Sequence, residues 1–226
     1  GNYFEWDVQA FGDRESQGEK LGRQQCDANA DCGNPINIFS HFKFQAEHDF
    51  DMGFIGFNRY YNSLKTTRTK QIGSRWTHTL DSRIALEFGD YSVSGSVVTL
   101  QRGDGSSTFF TRSATGLWAS AVVVSDSLKD VRDSSGALVG WRYSPAKSNL
   151  VYEYDAGGRI TAILSVTSID RIAVSYASNQ QSNQDLYNRI SSVTDSRAGQ
   201  YLFAYGADGQ ISSITTADGK FFSYTY

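Results

Sequence analysis

Two cysteines are the first residues in the chain whose type and spacing could do chemistry. Cys26 and Cys32 are the only cysteines, and five residues separate them. A zinc site normally needs four ligands at a recognisable spacing, so we predict a small-loop disulfide, with two free thiols as the alternative. A disulfide would indicate an oxidising compartment.

Between the cysteines, oxygen-bearing side chains stand at alternate positions, at Asp27, Asn29 and Asp31. Calcium loops bring carboxylate and amide oxygens together in this way. An EF-hand loop, however, would carry its glycine one residue before Gly33 and a glutamate where Ile38 stands. We therefore expect no cofactor and keep calcium as a hypothesis beside a turn-rich loop closed by the disulfide.

Three histidines have acidic residues nearby and could be imagined in a hydrolytic or metal site. They are His41, His48 and His78, at spacings of seven and thirty residues that match no helical metal motif. The neighbours His48 and Asp49 would also point to opposite faces of a strand. Because the sequence has neither a Gly-x-Ser-x-Gly elbow nor a phosphate-binding glycine loop, we expect no enzymatic activity.

The composition limits the class of protein that could position these groups. The 226 residues are 39% hydrophobic and 14% aromatic, which is enough for a sizeable core and too apolar for a disordered chain. No apolar run approaches the roughly 20 residues of a transmembrane helix. Lys plus Arg number 21 against 24 Asp plus Glu, so we expect no nucleic acid partner.

Alternation of apolar and polar residues runs through most of the chain and is typical of half-buried strands. Seven such runs are Phe54–Tyr61, Ser82–Phe88, Val97–Gln101, Thr108–Arg112, Ala121–Ser125, Gly140–Tyr143 and Leu150–Tyr154. Turn dipeptides occur at Asp104-Gly105, Ser135-Gly136, Gly157-Gly158, Asp208-Gly209 and Asp218-Gly219. These patterns predict an all-β fold of consecutive antiparallel hairpins that form a curved β-strip.

The two ends of the chain carry further strand patterns that favour self-association. A strand is predicted over Tyr3–Phe11, followed by a polar linker over Gly12–Gln25, and Phe221–Tyr226 would form an uncovered edge strand. Exposed edges pair readily with another chain, and head-to-tail pairing generates filaments. The candidate assembly residues are Phe4, Trp6, Val8, Phe222 and Tyr224.

An internal repeat of about 21 residues occupies the last third of the chain. The segment Tyr154–Ile163 is echoed by Tyr205–Ile214, and Asn188–Val193 keeps part of a third copy. Tyrosines at this fixed spacing predict a packing ladder between units. The predicted repeat-packing residues are Tyr154, Asp155, Gly158, Arg159, Tyr176, Arg189, Tyr205, Gly209 and Tyr226.

The Tyr-Asp and Gly-Arg-Ile elements of this repeat resemble the YD repeats of the bacterial RHS (rearrangement hotspot) family. Upstream, Cys32–Asn37, Phe57–Ser63 and Gly73–His78 are similar to elements of the N-terminal domain that precedes such repeats. The resemblance covers residues 32–226 and departs from the family pattern at Ser40–Lys43. It implies an RHS-type β domain over 32–150 and about three YD repeats over 151–226, preceded by the strand and polar linker that the residue pattern predicts over 1–31.

In RHS proteins, dozens of repeats wind a β-strip into a hollow shell around a toxin. The resemblance therefore implies a structural module of a secreted or surface bacterial protein, with toxin cargo or the rest of a longer RHS chain as partners. Three repeats cannot close such a shell, so we expect either a fragment or a short form that polymerises through its edge strands. A third hypothesis is a glycan-binding adhesin whose aromatic platform includes Trp76, Trp118 and Trp141.

Overall fold

The computed structural model of the protein describes residues 43–63, 71–120, 126–177 and 189–226. These residues form sixteen β-strands and no helix. The first eight strands are β1 (Phe44–Met52), β2 (Ile55–Asn62), β3 (Trp76–His78), β4 (Arg83–Phe88), β5 (Val97–Gln101), β6 (Ser107–Arg112), β7 (Trp118–Ala119) and β8 (Ser127–Arg132). The others are β9 (Leu138–Ser144), β10 (Leu150–Asp155), β11 (Ile160–Ser165), β12 (Arg171–Tyr176), β13 (Ile190–Asp195), β14 (Gly199–Tyr205), β15 (Ile211–Thr215) and β16 (Phe221–Ser223).

The strands belong to two antiparallel sheets. Strands β1 to β3 form a small sheet, and β4 to β16 form one open sheet of thirteen strands in chain order. Every strand of the large sheet pairs with its neighbours in sequence, as successive hairpins do. The predicted all-β fold of consecutive antiparallel hairpins is confirmed. Within the described ranges, no helix is long and apolar enough to cross a membrane.

Glycine turns join the hairpins at all five predicted dipeptides. The second residue of each has a positive φ near 80°: Gly105 (81°), Gly136 (85°), Gly158 (80°), Gly209 (82°) and Gly219 (81°). Side chains other than glycine rarely adopt this left-handed conformation, which is why these dipeptides mark the turns.

The large sheet curves until its first strand meets a later turn. The amide of Ile84 in β4 donates a hydrogen bond of 2.9 Å to the carbonyl of Gly158, in the turn between β10 and β11. An isolated antiparallel bridge joins Arg83 to Arg159 beside it. Further along, Ile211 in β15 donates to the carbonyl of Gln71 at 2.6 Å. The strip therefore bends back over the segments that precede it.

The small sheet packs against the last strands of the large one. Phe50 stacks on Tyr201 with ring centroids 5.9 Å apart and contacts Phe222 at 4.8 Å. Phe57 lies edge-on to Phe203 at 5.9 Å. Aromatic rings from the beginning and the end of the described chain thus share one hydrophobic core.

Six of the seven predicted strand runs overlap observed strands. The seventh, Ala121–Ser125, lies outside the described residues. Several strands, such as β3, β7 and β8, lie outside those runs, and so does the nine-residue β1. Its second half is rich in charge, and its pairing with β2 shifts register between His48 and Phe50, so its apolar residues do not keep a strict period of two.

Candidate functional site

The repeat tyrosines form a ladder of hydrogen bonds along the strip. In each repeat unit the hydroxyl of the closing tyrosine donates to the carbonyl of the isoleucine that begins β11, β13 or β15. The three bonds are Tyr176 to Ile160 (2.8 Å), Tyr205 to Ile190 (3.0 Å) and Tyr226 to Ile211 (2.9 Å). The isoleucines are fully buried or nearly so. The bond therefore satisfies a backbone acceptor that would otherwise be costly to bury.

A cationic side chain covers the ring in two of these units. Arg159 lies over the Tyr176 ring at 4.7 Å from its centroid, and Arg189 lies over Tyr205 at 5.4 Å. In the last unit Gln210 takes the equivalent position before Ile211. Arg159 is held by Asp155, whose carboxylate accepts its Nε at 2.7 Å. The Tyr-Asp and Gly-Arg-Ile elements thus act together as one packing unit.

The first repeat tyrosine is anchored differently, because no repeat precedes it. Tyr154 is only 3% exposed, and its hydroxyl pairs with Oγ of Ser82 at 2.7 Å. Ser82 also donates to the carbonyl of Gln101. Burial raises the pKa of Tyr154 well above its usual value, so the phenol stays neutral. This pair ties the start of the ladder to the β4–β5 hairpin.

Two of the repeat glycines occupy positions where a side chain would collide with its neighbours. A Cβ on Gly158 would fall 1.9 Å from the carbonyl oxygen of Ile84, and one on Gly209 would fall 2.6 Å from Nη2 of Arg189. Both glycines also have positive φ. Gly158 is therefore required both for its turn and for the contact with β4.

A polar cluster fastens the end of the strip to the small sheet; we call it the clasp, formed by Asp49, Arg59, Trp76 and Tyr224. Arg59 makes a bidentate pair with Asp49 at 2.8 and 2.9 Å and lies 5.4 Å from the ring centroids of both Trp76 and Tyr224. The Tyr224 hydroxyl donates to Asp49 at 2.8 Å. Burial opposes the charge of Arg59, but the bonds and attraction of Asp49 outweigh it and raise the arginine pKa.

The candidate assembly residues fall into two groups. Phe4, Trp6 and Val8 lie outside the described residues, as do Cys26, Cys32, Asp27, Asn29 and Asp31. The Phe222 side chain packs on Phe50, and Tyr224 belongs to the clasp, so both side chains are engaged within the chain. These two side chains are thus covered within the chain, and their part in assembly stays a prediction. The outer backbone of β16 pairs with no other described strand.

The histidines that the structure describes do not meet in one place. His48 is exposed and contacts Asn58 and Asp51, whereas His78 is fully buried beside Gln71. His41 lies outside the described residues. Among the described positions, no three His, Cys, Asp or Glu side chains converge as metal ligands.

Two other features of the sequence have structural roles in the fold. Trp118 and Trp141 are 6% and 1% exposed and pack against each other, so they do not form the exposed platform that an adhesin was expected to use. Arg102-Gly103-Asp104 opens the β5–β6 turn, and the Arg102 guanidinium is held by the Tyr143 hydroxyl and by Asp126. Arg-Gly-Asp is also the sequence of a cell-adhesion tripeptide, but here its arginine is engaged by other residues of the fold.

One region of the chain matches a known protein family. A family model described as a domain of unknown function (DUF6531) matches residues 33–110. The matched region contains β1 to β5 and most of β6, with Asp49, Arg59 and Trp76 of the clasp and the buried His78. No curated protein matches the chain.

Two clasp residues lie in motifs of the sequence, but nothing in those motifs indicates that they form the clasp. Arg59 lies in the Phe57–Ser63 motif and Trp76 in the Gly73–His78 motif, and both motifs carried the resemblance. Asp49 and Tyr224 are 175 residues apart in sequence, and only the curvature of the strip brings them together. A motif in one sequence does not show which distant residue its members contact.

Proposed function

We propose that the chain is a non-enzymatic structural module of the RHS/YD-repeat type, serving as part of a β shell or scaffold in a secreted or surface protein of bacteria. The hydrogen-bond ladder carries this proposal. Each unit supplies one isoleucine carbonyl and one tyrosine hydroxyl in the same arrangement. A unit that is satisfied by a local bond of this kind can be added repeatedly without changing its neighbours.

The N-terminal region has a specific part in this proposal. Its small sheet is fastened to the strip by the clasp and by the contacts of Phe50 and Phe57 with the last strands. A sheet built from hairpins has a hydrophobic face that must be buried against another element. We infer that the small sheet covers the inner face of the curved strip near its last strands, and that additional repeats or a toxin would cover the remainder in a longer protein.

A second candidate function is head-to-tail self-association. Phe88 on edge strand β4 and Phe221 on edge strand β16 are each 66% exposed. Both strands lie at the ends of the thirteen-stranded sheet. The Gly158 turn contacts β4 at Ile84, but the outer edge of β4 at Phe88 and the outer edge of β16 pair with no other described strand. Since open edges with exposed aromatic residues favour pairing with another chain, the predicted strand Tyr3–Phe11 of a second copy is the proposed donor.

One set of measurements separates the two proposals. For the scaffold, we expect intact-mass analysis of the native gene product to show additional YD repeats, and electron microscopy of that product to show a hollow particle. A native product with no further repeats that remains a compact monomer would contradict the scaffold proposal. For self-association, the 226-residue chain should form filaments that become monomers when residues 1–25 are deleted, and an unchanged assembly state would exclude strand donation.

A further inference from the structure

A cavity of about 180 Å³ lies where the small sheet meets the large one. Four tyrosines, Tyr60, Tyr143, Tyr152 and Tyr154, line it together with Arg102 and Asp104. These residues come from β2, from the β5–β6 turn and from β9 and β10. The cavity therefore exists only because both sheets are folded against each other, and it meets the repeat ladder only at its first tyrosine, Tyr154.

The turn that supplies Arg102 and Asp104 is held rigidly against the small sheet. A Cβ on Gly103 would lie 2.4 Å from the carbonyl oxygen of Thr79, so only glycine allows this approach. Arg102 is fixed by bonds from Nε to the Tyr143 hydroxyl at 3.1 Å and from Nη2 to Asp126 at 3.2 Å. The polar wall of the cavity is therefore pre-organised, which lowers the entropic cost of binding.

Two of the four hydroxyl groups are uncommitted. The Tyr143 hydroxyl is bonded to Asp126 and Arg102, and that of Tyr154 is bonded to Ser82. The hydroxyls of Tyr60 and Tyr152 make no hydrogen bond to the rest of the described chain, although Tyr152 is partly buried. The Tyr152 hydroxyl interacts electrostatically with Tyr60, Asp104 and Arg102. The cavity thus brings together free hydroxyls, a carboxylate and an arginine.

The charges and shape of this wall select a chemical class of ligand. Arg102 contributes one positive charge, which is offset by Asp104 in the wall and by Asp126, the partner of Arg102 behind the wall, so the cavity disfavours anions. Because phenol oxygens converge on one another, the wall suits hydroxyl groups better than a quaternary ammonium, which needs open ring faces. The volume is below the roughly 300 Å³ of a drug-sized pocket and fits one small ring.

We propose that this cavity binds a single neutral sugar ring, such as the terminal residue of a glycan. Tyr60 and Tyr152 would donate to and accept from the sugar hydroxyls, and Asp104 would accept from a further one. This site differs from the tryptophan platform that the sequence suggested, since Trp118 and Trp141 are in the core. The inference does not depend on the scaffold function, because the cavity is complete within one chain.

The test is saturation-transfer difference NMR on the full 226-residue chain, followed by titration. The neutral probes are methyl glucoside, methyl galactoside and N-acetylglucosamine, and the comparison probes are glucuronic acid and choline. We expect at least one neutral ring to bind with a dissociation constant of about 1 mM, as a ligand of this size allows, and the charged probes not to bind.

Two variants locate the bound sugar. Tyr60→Phe and Tyr152→Phe each remove a hydroxyl with no described protein partner, so both should fold normally by circular dichroism and weaken binding about three- to tenfold. Tyr226→Phe is the matched control, since its hydroxyl bonds Ile211 in the ladder, and it should bind as the parent does. The proposal is overturned if no neutral probe binds, if choline or glucuronic acid binds instead, or if both cavity variants bind unchanged.

Discussion

At the scale of the residue, His78 shows how a polar group is accommodated in this core. The side chain is fully buried and stacks on Phe57 with ring centroids 5.3 Å apart. Its Nδ1 accepts from the amide of Leu80 at 3.3 Å, which assigns the proton to Nε2, and Nε2 donates to Oε1 of Gln71 at 3.2 Å. Burial lowers the pKa of His78 from 6.5 to about 3. The imidazole is thus a neutral structural group.

This buried imidazole predicts a loss of stability in mild acid. The unfolded chain binds a proton at His78 below pH 6.5, while the folded chain stays neutral down to about pH 3. The contribution of the buried, neutral His78 to the free energy of unfolding is therefore complete above pH 6.5. Between pH 6.5 and about pH 3 it falls by up to about 1.4 kcal/mol per pH unit. Urea unfolding of the parent and of His78→Asn between pH 7.5 and pH 4 measures this change in the free energy of unfolding.

The comparison isolates His78 because every other titrating group is common to both proteins. We expect the stability of the parent to fall more steeply below pH 6.5 than that of the variant. An NMR titration of the parent gives a second reading that does not require the variant to fold. Histidine ring signals that show His78 taking up a proton near pH 6 in the folded state would contradict the assignment.

At the scale of the element, the turn between β10 and β11 is the point where the strip meets its own beginning. Gly158→Ala adds a methyl group 1.9 Å from the Ile84 carbonyl oxygen, whereas Gly219→Ala adds one at nearly the same φ with nothing within 4 Å. The control should cost about 1 kcal/mol from the left-handed conformation alone. Gly158→Ala should cost about 3 kcal/mol or more, because the backbone contact must also separate.

Chemical denaturation of both glycine variants measures this difference in the free energy of unfolding. Equal losses in the two proteins would mean that the contact between this turn and β4 contributes nothing to stability. A larger loss for Gly158→Ala would show that curvature of the strip is itself stabilised. The comparison is balanced, since each glycine closes a hairpin of the large sheet and each variant adds the same methyl group.

The sequence predicted these elements well wherever local chemistry determines them. The glycine that ends an Asp-Gly, Ser-Gly or Gly-Gly pair readily adopts the positive φ of a tight turn, so all five turns could be predicted from two residues each. The contact of Gly158 with Ile84 could not, because it depends on how far the sheet curves between them. The same limit applies to the cavity, whose tyrosines lie on three strands of two sheets and show no common spacing.

At the scale of the whole molecule, the large sheet runs without interruption through the proposed boundary at residue 150. Strands β9 and β10 pair across it through residues such as Trp141 and Tyr154. The small sheet also contacts β14 to β16 through the shared aromatic core. The division into a domain over 32–150 and repeats over 151–226 stays a prediction about sequence organisation. The contacts favour a single cooperative unit.

The distribution of tryptophan allows that cooperativity to be measured. All four tryptophans, Trp6, Trp76, Trp118 and Trp141, precede residue 150, so their fluorescence reports only on the N-terminal part. Ile214 lies in β15 and is fully buried, and Ile214→Val should cost about 0.5–1.5 kcal/mol. For a protein of this size, each 1 kcal/mol lowers the melting temperature by about 2–4 °C.

If the chain unfolds as one unit, Ile214→Val lowers the melting temperature equally by tryptophan fluorescence and by far-ultraviolet circular dichroism, because the remote tryptophans lose their structure in the same transition. The equivalent change in the N-terminal part, Ile84→Val, is the matched control and should shift both signals alike, since Ile84 is also buried in the sheet. A fluorescence midpoint that stays at the parent value in Ile214→Val, while the circular dichroism midpoint falls, would instead establish that the repeats unfold separately from the region that precedes them.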